Sequence, residues 1–132
     1  MYKLSKRSLS RLKGVEPLLI AIFVDAIYNS PYDFGIPQHG GLRTDSEQNA
    51  LYKQKLSKAD GYVKKSYHQT GRAVDIYGYV DGKATWDKNV LTMIATHIKN
   101  VARDKYNVNL EWGGDWKSFK DMPHFQIKKD QL

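Results

Sequence analysis

Cysteine is absent from this chain, and that excludes disulfides, thiolate metal sites and a cysteine nucleophile. Any metal must then be held by His, Asp or Glu. The absence fixes no compartment, because a chain without thiols tolerates either redox state. Long apolar runs are also missing. The run over residues 18–24 stops at Asp25, well short of the roughly 20 residues a membrane span needs, so it reads as a core helix. No secretory leader pattern is visible, and the expectation is a protein made in the cytosol without an export signal of its own. Repeats, linkers and low-complexity stretches are missing too. At 132 residues the expectation is one domain, residues 1–132, around one core.

Acidic residues are few beside basic ones, 14 against 21, and the net charge is +7. That excess is compatible with a solvated basic surface or with a polyanionic partner such as nucleic acid or an anionic cell envelope. The lysines are dispersed (Lys53, Lys55, Lys58, Lys64, Lys65, Lys105, Lys128, Lys129) and form no compact basic motif, so no nucleic-acid partner is expected.

Hydrophobic periodicity predicts a helix over residues 16–28, with Pro17 in its first turn and Leu18, Leu19, Ile22, Phe23, Ala26 and Ile27 on one face. A helical turn over residues 8–12 precedes it. Residues 33–38 read as an extended segment, and His39-Gly40-Gly41 as a turn. Thr44 with Glu47 forms a capping-box pattern opening a helix to about Leu56. Residues 57–65 read as a polar loop and residues 73–79 as one strand. Asp81-Gly82 reads as a hairpin turn. A long helix is predicted over residues 87–104, with final strands over 109–112 and 124–127. The order of elements implies an α+β fold rather than a doubly wound sheet.

Four histidines are present. His97 reads as a helix histidine and His39 as a turn histidine. His68 and Asp75 are separated by an odd number of residues, so a single regular strand would point them to opposite faces. Gly71 is the natural place for a break that lets both converge. Pro123 disfavours helix before His124, which then begins a strand whose one face carries His124 and Gln126 and whose other carries Phe125 and Ile127. Two imidazoles and a carboxylate suit zinc, and three protein ligands leave a position open for catalysis. Asp121, three residues before His124, is the candidate general base. Arg43 is the first candidate for an oxyanion or substrate contact and Arg72 the second. A bare surface cation at a helix start would be unfavourable for Arg43, because it opposes the helix dipole there.

These residues resemble the zinc peptidases that cleave peptidoglycan stem peptides, the L-alanyl-D-glutamate endopeptidases and D-alanyl-D-alanine carboxypeptidases. The resemblance rests on Gly41-Leu42-Arg43-Thr44 with Gln48 downstream. It continues through Ser66-x-His68-x-x-Gly71-x-Ala73-x-Asp75 and Asp121-x-Pro123-His124-Phe125, across residues 8–128. It implies Zn2+ held by His68, Asp75 and His124, Asp121 as base and Arg43 as substrate or oxyanion contact. It also implies a small antiparallel sheet carrying the metal with helices around it, of the hedgehog/D,D-peptidase-like type. Gln126 stands where some relatives carry Glu. The short form looks most like a phage or prophage endolysin, a monomer acting on the wall of a lysing host with a holin as releasing partner. Two rivals follow: a D,D-carboxypeptidase on the same scaffold, and a basic module that binds wall or nucleic acid without catalysis.

Overall fold

The computed structural model describes residues 1–132. Four helices surround two small antiparallel sheets. The first helix, α1 (Lys6–Arg11), is capped by Ser5, whose hydroxyl accepts from the Ser8 amide. The second, α2 (Pro17–Tyr28), starts on the proline and buries Leu19, Ile22, Phe23, Ala26 and Ile27. Thr44 and Glu47 close the capping box of α3 (Asp45–Lys53). Asp87 caps the long helix α4 (Lys88–Tyr106), and Asn107 ends it in a left-handed conformation. No helix is long and apolar enough to cross a membrane.

The sheets are built from short strands: β1 (Phe34–Gly35), β2 (Ala73–Asp75), β3 (Tyr77–Val80), β4 (Lys83–Thr85), β5 (Glu111–Trp112) and β6 (His124–Gln126). They are arranged as β1-β3-β4 and β2-β6-β5. The β3–β4 hairpin turns on Asp81 and Gly82, both at positive φ, which matches the right-handed twist of paired strands.

One expectation needs correction. Residues 73–79 do not form a single strand. The chain leaves one sheet after Asp75 and enters the other at Tyr77, and between them the Ile76 amide donates to Pro123 O at 3.0 Å. Both faces of this stretch are largely buried, so no alternation in the sequence marks the change of sheet. Other elements are shorter than expected: β1 covers two residues of the segment 33–38, and α3 ends at Lys53 rather than near Leu56.

The core lies between α2, α4 and the sheets. Phe23 meets Phe34 and Phe125 edge-on, at ring separations of 6.3 and 5.5 Å. Each such fully buried large side chain contributes roughly 1.5–3 kcal/mol relative to exposure. His97 links the two long helices, with Nε2 donating to Ala26 O at 2.7 Å. This scaffold fixes β2 and β6, the strands on which two of the expected ligands stand.

Candidate metal centre and its cavity

His68 sits not on a strand but in a single 3-10 turn, Tyr67–Thr70. Ser66 Oγ accepts from the His68 amide and Gln69 Oε1 from the Ser66 amide, which makes the turn a closed capping box. Gly71 ends it at φ +71°, and the chain reverses into β2. This is the break expected between His68 and Asp75. Asp75 and His124 then face each other as cross-strand partners in the β2–β6 ladder. The structure therefore brings His68, Asp75 and His124 together, with their ligand atoms within 4.8 Å of one another.

The hydrogen bonds around the trio fix both imidazole tautomers. His68 Nδ1 lies 2.9 Å from the Gly41 carbonyl, which only accepts, so the proton is on Nδ1 and the Nε2 lone pair is free. Gln126 Nε2 donates to Glu111 Oε2 at 2.8 Å, which turns the Gln126 oxygen toward His124. His124 Nε2–H donates to that oxygen at 2.8 Å, freeing Nδ1. Both free nitrogens point at Asp75 Oδ1, each at 3.2 Å. Three electron-rich atoms at this spacing repel unless a cation lies among them. Metal bonds of about 2.0–2.1 Å at tetrahedral angles would set neighbouring ligand atoms roughly 3.3 Å apart, close to the separations seen. The residues present fit a metal ion.

The electrostatics agree. Burial pushes the Asp75 carboxyl up, but in the metal-free site His68 and His124, when protonated, outweigh it and hold the group well below the usual carboxylate range. Burial pushes His124 down, yet Asp75 and the bond to Gln126 raise it above its ordinary value. A field that favours a proton there also favours a metal cation.

Arg43 stands behind the trio. Its Nε donates to His39 O at 2.7 Å, one terminal nitrogen to Gln48 Oε1 at 3.0 Å and the other to Asp75 Oδ2 at 3.0 Å. The side chain is only 10% exposed, so Arg43 is no solvated surface charge at a helix start. Burial lowers its affinity for a proton, and Asp75, Asp121 and Glu47 counter that. Asp121 is half-exposed, with Oδ2 4.0 Å from His124 Nδ1. Burial and then the charge of Asp75 push its carboxyl up, against the pull of His124, His68 and Arg43. That direction makes the Asp121 carboxylate a stronger proton acceptor than a free one.

The trio, Arg43, Asp121 and Gln126 line a cavity of about 920 Å³. Trp116 packs on His124 at 5.4 Å between ring centres. Arg72, the second candidate for a substrate contact, lies outside the cavity, and so does His39. Arg72 stacks on Tyr67 at 4.4 Å, and His39 pairs with Glu47 at 3.3 Å. Sequence reasoning assigned no role to Gln48, Glu111 or Trp116. Gln48 is fully buried, a signal for a polar residue that is bonded internally, but only the fold shows to what.

The α+β fold and a His-Asp-His trio that could hold a metal ion, lining one cavity with Arg43 and Asp121, define a small protein with a candidate metal centre. Comparison with known proteins narrows this class. The family described as phage L-alanyl-D-glutamate peptidase matches residues 1–131, and the chain belongs to that family. The L-alanyl-D-glutamate peptidase of Escherichia phage T5 is 30% identical over 131 residues, covering 97% of this chain and 90% of that protein. The peptidoglycan L-alanyl-D-glutamate endopeptidase CwlK of Bacillus subtilis is 36% identical over 100 residues, 66% of this chain and 57% of that protein. Among solved structures, the L-Ala D-Glu endopeptidase ChiX of Serratia marcescens superposes with a TM-score of 0.83 at 31% identity, over 96% of this chain and 90% of that one.

Proposed function

We propose that the whole chain is one zinc peptidase domain that hydrolyses the amide between L-Ala and D-Glu in the peptidoglycan stem peptide. The observation that carries this is the convergence of His68, Asp75 and His124 beside Asp121, in a chain of the L-alanyl-D-glutamate peptidase family. Family membership weighs against the non-catalytic binding module.

His68, Asp75 and His124 would hold the zinc, a donor set of two nitrogens and one oxygen that suits it. When bound, zinc supplies Lewis acidity, lowering the pKa of water and polarising a carbonyl. The chain supplies the rest. Asp121 accepts a proton from the attacking water and returns it to the departing amine nitrogen as the C–N bond breaks. The products are a carboxylate on L-Ala and an amine on D-Glu. Arg43 keeps Asp75 ionised and oriented, and its buried positive charge beside the cavity favours a developing oxyanion. Gln126 and Glu111 hold His124 in the ligating tautomer. In this reading the protein is a monomeric endolysin that reaches the wall from the host cytoplasm through a holin-type partner.

Digestion of purified muropeptides, with the new termini identified by mass spectrometry, tests the reading. New N-terminal D-Glu supports it. Release of free D-Ala would mark a D,D-carboxypeptidase on the same scaffold.

A further inference from the structure

The cavity mouth is positively charged on both sides. Lys55, Lys58, Lys64 and Lys65 stand on the wall formed by residues 54–66, and Lys120 on the wall formed by residues 116–120. Lys58 reaches across, its Nζ 5.1 Å from the ring centre of Phe119. Lys65 is paired with Asp45 at 3.3 Å, but Lys55, Lys58, Lys64 and Lys120 have no carboxylate within 4.0 Å. The only acids lining the cavity are Asp75 and Asp121. Four unneutralised cations around one concave opening focus a field that draws in and orients anions.

The lysine wall is also held in place. Gln48 Nε2 donates to Ser57 Oγ and Ala59 O, at 2.8 and 2.9 Å. Asn49 holds Asp60 O and Gln69 holds Gly61 O, both at 2.9 Å. Asp60 Oδ1 accepts from the amides of Tyr62, Val63 and Lys64. A segment with no helix or strand is thereby fixed, and its cations are presented at defined positions.

We infer that Lys55, Lys58 and Lys64 form a carboxylate-recognition site that selects stem peptides with free acid groups beyond the scissile bond over the same peptides with those groups amidated. The inference rests on the peptidase reading for its substrate. A D-Glu linked onward through its side chain keeps its α-carboxylate beside the bond to be cut, and amidation removes that charge while leaving the size almost unchanged.

The test compares two synthetic stem peptides, free acid and D-isoglutamine amide, by cleavage with the zinc-loaded protein and by calorimetric binding to its Asp121→Asn variant. The free acid should be preferred by about tenfold in both readouts, since each exposed cation is worth roughly a factor of two to five. The preference should shrink at 0.5 M salt. Joint substitution Lys55→Gln, Lys58→Gln and Lys64→Gln should bring the ratio to within about twofold, and Lys→Arg at the same positions should retain it. Joint Lys13→Gln, Lys83→Gln and Lys88→Gln, which removes equal charge away from the cavity, should also leave the ratio in place. Equal handling of acid and amide by the unmodified protein overturns the inference. So does a ratio altered alike by both triple variants. If neither peptide is cut but the acid still binds more tightly, the peptidase reading fails and the carboxylate site stands.

Discussion

Arg43 holds one oxygen of Asp75 at 3.0 Å while the other oxygen of the same carboxylate faces both imidazoles at 3.2 Å. The guanidinium also serves His39 O and Gln48 Oε1 in the same plane of donors. A lysine cannot reach three acceptors in that geometry. Arg43→Lys should therefore lower zinc affinity by about 10–100-fold, as loss of a ligand-orienting partner does. Chelator competition measures this, and an unchanged far-UV circular dichroism spectrum shows that the fold persists. An unchanged zinc affinity would reduce Arg43 to a substrate contact.

Asp121 is close enough to His124 to share the site, yet at 4.0 Å from Nδ1 it stands outside the trio of His68, Asp75 and His124. Asp121→Asn keeps the shape and removes the base. Zinc content should stay at the unmodified level while kcat falls by roughly 100- to 10,000-fold. Parallel loss of metal and activity would instead make Asp121 a ligand.

Metal should also stabilise the folded state, because the trio is assembled only there. At free zinc about 100 times its Kd, binding adds roughly 2.7 kcal/mol. For a chain of this length that corresponds to a Tm about 10 °C above the chelated protein. Differential scanning fluorimetry with and without chelator checks it. Zinc re-addition should restore both Tm and hydrolysis.

The sequence exposed the centre better than its surroundings. His68, Asp75, Asp121 and His124 stand out only in combination, as a His-to-Asp motif followed by a distant Asp-x-x-His, since each piece alone is common, and Gly71 marks the reversal between the first two. The helices are legible because their apolar periods and caps are local, as with Pro17 in α2 and Thr44 with Glu47 in α3. The sheet change at Ile76 is not local, since it depends on pairing with Pro123. The order of residues 57–66 is equally hidden, because Gln48, Asn49 and Gln69 impose it from other parts of the chain.

Gly71→Ala tests the reversal directly. A Cβ there would come within 2.7 Å of the Gly14 carbonyl oxygen, at a φ of +71° that side chains disfavour. The variant should lose about 1–3 kcal/mol of stability by urea unfolding. It should bind zinc more weakly, because His68 is placed by the turn that Gly71 ends. A variant of native stability would mean that Gly14 yields without cost.

Gln48 joins the candidate metal centre to the lysine wall through one amide group. Its oxygen accepts from Arg43, and its nitrogen donates to Ser57 and Ala59. Two substitutions separate these links. Gln48→Leu removes both, leaves buried partners unsatisfied and should cost about 2–3 kcal/mol in stability. Gln48→Glu keeps an acceptor for Arg43 but has no N–H for the Ala59 carbonyl. With Glu, zinc affinity should hold while KM for the free-acid stem peptide rises several-fold, because the cations are no longer held in register. With Leu, zinc affinity and KM should both suffer, since Arg43 loses a partner that aims it at Asp75. If Glu and Leu behave alike in both readouts, the amide acts only by filling space, and the two sides of the cavity are not coupled through it.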